Sequence, residues 1–136
     1  MIRTIDHTAD AGFEVESDNL EALFSEAAYA LLDILYDRNN ISKKEARNVS
    51  VSAPAVDILL HDFLSEILQI AQYELFLIAE VVITEINDRR VDAEFLGETF
   101  QRDRHQFLTE VKAVTYHQLA AEPRGDRWFG RVILDL

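Results

Sequence analysis

The sequence contains no cysteine, which removes disulfides, thiolate metal sites and cysteine nucleophiles together. Such a chain suits a reducing cytoplasm. Glycine and proline are scarce, with four and two residues in 136. Gly12, Gly97, Gly125 and Gly130 stand far apart, so no glycine-rich phosphate-binding loop can be drawn. Positive charge is also short: 13 Lys and Arg face 25 Asp and Glu, a formal net charge of −12. Nucleic-acid affinity comes mostly from cations that neutralise phosphates, so this chain is not expected to grip RNA or DNA unaided. Adhesion to anionic membranes is disfavoured on the same ground. No apolar run reaches the ~18 residues of a membrane span, and MIRTIDHTADAG has no signal-peptide core. A basic partner, a cation or simple solubility fits the charge.

What is present is an ordinary globular mix, 49% hydrophobic and 28% charged, long enough for one core. Ile2 to Asp6 reads as a short strand, and Phe13 and Val15 continue an alternating one. Asp18 with Glu21 resembles a capping box. Behind it Leu20, Leu23, Phe24, Ala27, Leu31, Ile34 and Leu35 recur at helical spacing. Val49, Val51 and Ala53 alternate up to Pro54. A second helix is predicted over 55–73, with Leu59, Leu60, Phe63, Leu64, Ile67, Leu68 and Ala71 on one side. The β-branched run 76–86, the turn Asn87-Asp88 and Val91, Ala93 and Phe95 predict a hairpin. Residues 98–108 read as a loop, and strands are expected over 110–119 and 128–136. The expected architecture is α+β: a single domain over 1–136, a mixed or antiparallel sheet with both amphipathic helices on one face.

Four histidines, His7, His61, His105 and His117, include no i, i+4 pair, so a histidine metal site is not indicated. His61 is expected at the surface or boundary of its helix and His105 in solvent. Thr8 has no base but its neighbour His7, and no serine sits in a nucleophile elbow. In Glu110-Val111-Lys112-Ala113-Val114-Thr115-Tyr116-His117, strand alternation would put Glu110, Lys112, Val114 and Tyr116 on one face. The ending Val132-Ile133-Leu134-Asp135-Leu136 sets a carboxylate beside backbone oxygens and an α-carboxylate. Hard oxygens suit Ca²⁺ or Mg²⁺, and Asp10 is the candidate second carboxylate.

The HTADAG segment 7–12, the string from Glu110 to His117 and the apolar-Asp-apolar ending together resemble the archease family over essentially the whole chain. The resemblance implies a small α+β protein that is not itself an enzyme. It implies a partner, the RtcB-type GTP-dependent RNA ligase of tRNA splicing and RNA repair, whose guanylylation and multiple turnover it promotes. RNA is then met only through the ligase. It also implies a divalent cation, calcium first with Mg²⁺ or Mn²⁺ as alternatives, on Asp10, Asp135 and Leu136. Lys112, with Glu110 and Asp10, is expected to serve activation of the partner. Ala11 stands where many members have Ile or Val, which alters packing, and Leu136 replaces the usual terminal Ile, which leaves the backbone ligand oxygens. Two other readings stand beside this one: a general chaperone or adaptor with an acidic surface, and a small metal-dependent hydrolase using Asp10 and His7.

Overall fold

The structure, a computed structural model, describes residues 1–6 and 10–136, the Asp6 side chain excepted. Strands β1 (Ile2–Asp6) and β2 (Asp10–Ser17) lead into helix α1 (Leu20–Leu35), followed by a 3-10 turn at Arg38–Asn40. Strand β3 (Glu45–Ser52) precedes helix α2 (Val56–Leu68), which widens into a π turn over Gln69–Tyr73. A hairpin of β4 (Phe76–Ile86) and β5 (Arg90–Thr99) comes next. After a loop the chain adds β6 (Ala113–Val114), β7 (Ala120–Arg124) and β8 (Arg127–Asp135).

The class is α+β, as expected, but the strands divide into two antiparallel sheets rather than one. One runs β1-β2-β8-β6, with β7 also on β8; the other runs β3-β5-β4. Both helices touch both sheets: α1 packs on β2, β8 and β4, and α2 on β6, β7, β3 and β5. That shared position explains the burial of α1 around most of its circumference. Ala28, Ala30 and Leu32 are buried along with the predicted stripe, and in the helix only Glu21 and Asp33 are exposed. Two sheets demand two apolar faces, and alanines supply the second without adding bulk.

Asn19, not Asp18, caps α1, its side chain accepting from the Ala22 amide at 2.8 Å. Asp18 pairs instead with Arg127 at 3.1 Å. The edge of β4 is closed by Tyr29 of α1 and by Tyr36, the residue that ends the helix. The Tyr36 hydroxyl donates to the Ile78 carbonyl at 3.0 Å and accepts from its amide at 2.7 Å. Tyr29 accepts from the Val81 amide at 2.9 Å. Side chains thus take the place of a neighbouring strand. Burial pushes the Tyr36 hydroxyl well above the usual tyrosine value, so it stays protonated and keeps donating. Gly97 has no substitute here, because a Cβ would lie 1.8 Å from the Leu77 carbonyl oxygen.

Candidate functional site

The chain's two ends meet in the middle of the larger sheet. β2 and β8 are antiparallel, and their register sets Asp10 directly opposite Asp135. On the other side of β8, Ala113 of β6 is the partner of the same Asp135. Directly paired residues project to the same face, with Cβ atoms about 5 Å apart. Asp10, Asp135 and Ala113 therefore form a row on the solvent side, while Leu134 and Val114, one residue on, enter the core.

The segment carrying Lys112 is tied to this row. The Lys112 amide donates to the Asp135 carbonyl at 2.8 Å. The Thr115 amide and hydroxyl both donate to the Ile133 carbonyl, at 3.0 and 2.9 Å. The predicted strand over 110–119 shrinks, however, to Ala113–Val114. Its alternation fails: Val111 and Val114 are buried, whereas Glu110, Lys112, Ala113 and Tyr116 are exposed.

Side chains of α2 and its π turn hold this segment together with its strand partner β8. Gln72 donates to the Val111 carbonyl at 2.7 Å and accepts from its amide at 3.0 Å. His61 Nε2 lies 2.9 Å from the Val114 carbonyl oxygen, which can only accept, so Nε2 is assigned the proton. His61 Nδ1 lies 2.8 Å from Asp62 Oδ1, and the ring stacks on Tyr116 with centroids 3.9 Å apart. His61, expected at the surface or boundary of its helix, is instead buried; the ring is tolerable there because Nε2–H has its carbonyl acceptor and the ring face its stacking partner. Neither Gln72 nor His61 could be singled out by spacing, since their contacts span 39 and 53 residues.

His105 is also buried, against expectation. Its Nδ1 accepts from the Gln101 amide at 2.8 Å, leaving Nε2 to donate to Glu98 at 3.2 Å. Glu98 is 1% exposed and also bonds Arg104. The Ser42 amide, donating at 2.6 Å, and then the Arg104 guanidinium hold its carboxyl at about 2, well below the usual range. This network closes the loop after β5 and has a structural role.

Of the residues singled out from sequence, the fold gathers Asp10, Asp135 and the Lys112 backbone, with half-buried Leu136 following Asp135. Glu110 is not in that row; it lines a separate groove with Gln72, Tyr73, Leu75 and Phe107. His7 and Thr8 lie outside the described residues. Among the described residues no three His, Asp or Glu side chains converge into a metal-binding group. Two carboxylates on one face, with no salt bridge to either from the described Lys and Arg side chains, still form an uncompensated, all-oxygen donor pair. That donor chemistry fits a hard divalent cation. No helix is long and apolar enough to cross a membrane among the described residues.

Comparison with known proteins places this arrangement in context. A family model described as the Archease protein family (MTH1598/TM1083) matches residues 3–136. The protein archease of Methanopyrus kandleri is 36% identical over 135 residues, covering 97% of this chain and 96% of its own. That of Pyrococcus abyssi is also 36% identical, covering 96% and 95%. The solution structure of Methanobacterium thermoautotrophicum protein 1598 superposes with a TM-score of 0.81 at 32% identity, covering 99% and 98%. A Thermotoga maritima crystal structure, described as an archease and possible chaperone, shares the fold with a TM-score of 0.67 at 21% identity, covering 98% and 96%.

Proposed function

The chain belongs to the archease protein family, and on that premise we propose that it activates an RtcB-type GTP-dependent RNA ligase in the cytoplasm. In this reading it is a protein cofactor, not an enzyme, and a divalent cation, calcium first, is held by Asp10, Asp135 and Leu136. The single observation that supports it most is the register that sets Asp10 opposite Asp135. Two like charges about 5 Å apart repel one another, and a bound cation turns that repulsion into attraction.

Each part of the site has a task this chain can perform. Asp10 and Asp135 supply the carboxylate oxygens, and Leu136 a backbone oxygen. A bound divalent ion would supply charge for phosphate oxygens at the ligase's nucleotide site. The Lys112 amide on the Asp135 carbonyl keeps the residue before β6 in line with β8, and the Lys112 side chain stands exposed in solvent. There it can meet a phosphate or an acidic ligase residue. With a net charge of −12 the chain has little means of holding RNA itself. The ligase must do the holding, and this protein acts on the chemistry through it.

The test is ligase guanylylation with GTP, with and without wild-type protein, Asp10→Ala, Asp135→Ala and Lys112→Ala. Stimulation by wild-type protein that falls at least about tenfold in each variant is expected. Equal stimulation by all four proteins would remove the proposed site.

A further inference from the structure

The groove that Glu110 lines has a composition unsuited to water. It measures about 370 Å³ and is walled by Tyr73, Leu75 and Phe107, with Gln72 at its base. Tyr73 is 59% exposed and Leu75 42%. Leu75 is doubly unfavourable in the isolated molecule. It follows Glu74, the residue that closes the π turn, and its φ is 57°. At this position helices usually place glycine or asparagine, because a left-handed backbone crowds any larger side chain. Local conformational preference therefore argues against leucine, and solvation argues against exposing it.

We infer that this groove is the docking surface for the RNA ligase of the proposed function, on which the inference rests. The ligase would seat an apolar side chain between Tyr73, Leu75 and Phe107 and set a Lys or Arg against Glu110. Charge favours this occupant. Glu74, next to Leu75 in the chain, is already paired with Arg47 at 2.6 Å, whereas Glu110, which lines the groove, has no salt bridge to the described Lys and Arg side chains. A protein that holds RNA carries the cations this acidic chain lacks. The groove is separate from the Asp10–Asp135 row but linked to it through the backbone. Gln72 holds both backbone groups of Val111, and the next residue, Lys112, bonds the Asp135 carbonyl. A partner seated on Tyr73 and Leu75 thus stands one clasp away from the proposed cation site.

The experiment measures binding of the RNA ligase from the same organism to wild-type protein, Tyr73→Ser and Leu75→Asn, by calorimetry. Calcium binding and thermal unfolding of each protein are recorded alongside. Each substitution is expected to weaken ligase binding at least about tenfold, leave calcium binding unchanged and, for Leu75→Asn, maintain or raise the Tm. Ligase binding equal to wild type in both variants overturns the groove and leaves the ligase reading standing. Absence of binding by the wild-type protein overturns both. A marked fall in Tm for Leu75→Asn makes its side chain structural and overturns the inference. A wild-type dimer in sedimentation that Leu75→Asn dissolves gives the groove to a second copy and overturns the ligase as occupant.

Discussion

Asp135→Asn should change sign in its effect on stability according to whether calcium is present. Without a cation, Asp10 and Asp135 face each other across β2 and β8, with side chains about 5 Å apart. Two unit charges at that distance repel by about 1 kcal/mol in water and by about 3 kcal/mol at an effective dielectric near 20. Asp135 is exposed and salt screens it, so about 1 kcal/mol is the appropriate figure. In EDTA the asparagine variant should therefore unfold roughly 3–5 °C above wild type for a chain of this size. Calcium at a hundred times its dissociation constant adds about 2.7 kcal/mol to the wild-type protein, or roughly 10 °C. The variant keeps only one of the two carboxylates and should gain little. The order of the two melting temperatures thus inverts between EDTA and calcium, as read by circular dichroism. A wild-type Tm indifferent to calcium, or parallel calcium shifts in both proteins, would refute the reasoning.

Two further outcomes follow from the buried histidines and their partners. His61→Leu should lower the urea midpoint by the equivalent of about 1–3 kcal/mol, because the Val114 carbonyl loses its 2.9 Å donor inside the fold; an unchanged midpoint would make that bond dispensable. Glu98, its carboxyl held at about 2 against an ordinary 4.5, adds stability that is complete above the ordinary value and disappears as pH falls toward the lowered one. Acid unfolding of wild-type protein should steepen between those limits, and Glu98→Gln should flatten that limb; superimposable acid profiles would exclude Glu98 as its source.

Much of the scaffold was legible because it depends on local pattern. The strand Ile2–Asp6, both helices and the β4–β5 hairpin announce themselves through period and turn chemistry. The Asp10 and Asp135 candidates were visible as residue types, but nothing in their spacing says that they are neighbours. The strand expected over 110–119 failed for the converse reason. Its alternating residues suited a ladder, yet only Ala113–Val114 pair with β8, and side chains of Gln72 and His61 hold Val111 and Val114 as well. His61, expected at the surface or boundary, and His105, expected in solvent, are both buried, because a polar residue is tolerable in a core when distant atoms partner it, and such partners leave no local signal.

Composition alone decided which residue chemistry is on hand: no cysteine for thiolate chemistry, four scattered glycines, and 13 Lys and Arg against 25 Asp and Glu. Those conclusions need only a count, since charge and residue chemistry are properties of the chain in any conformation. Tertiary structure decided the rest. Only the antiparallel register of β2 and β8 places Asp10 opposite Asp135. Only the folding of the π turn against the 107–111 segment makes a groove of Tyr73, Leu75, Phe107 and Glu110. Both depend on pairings between residues far apart in sequence, which local preference does not encode and which the packing of both helices between two sheets enforces.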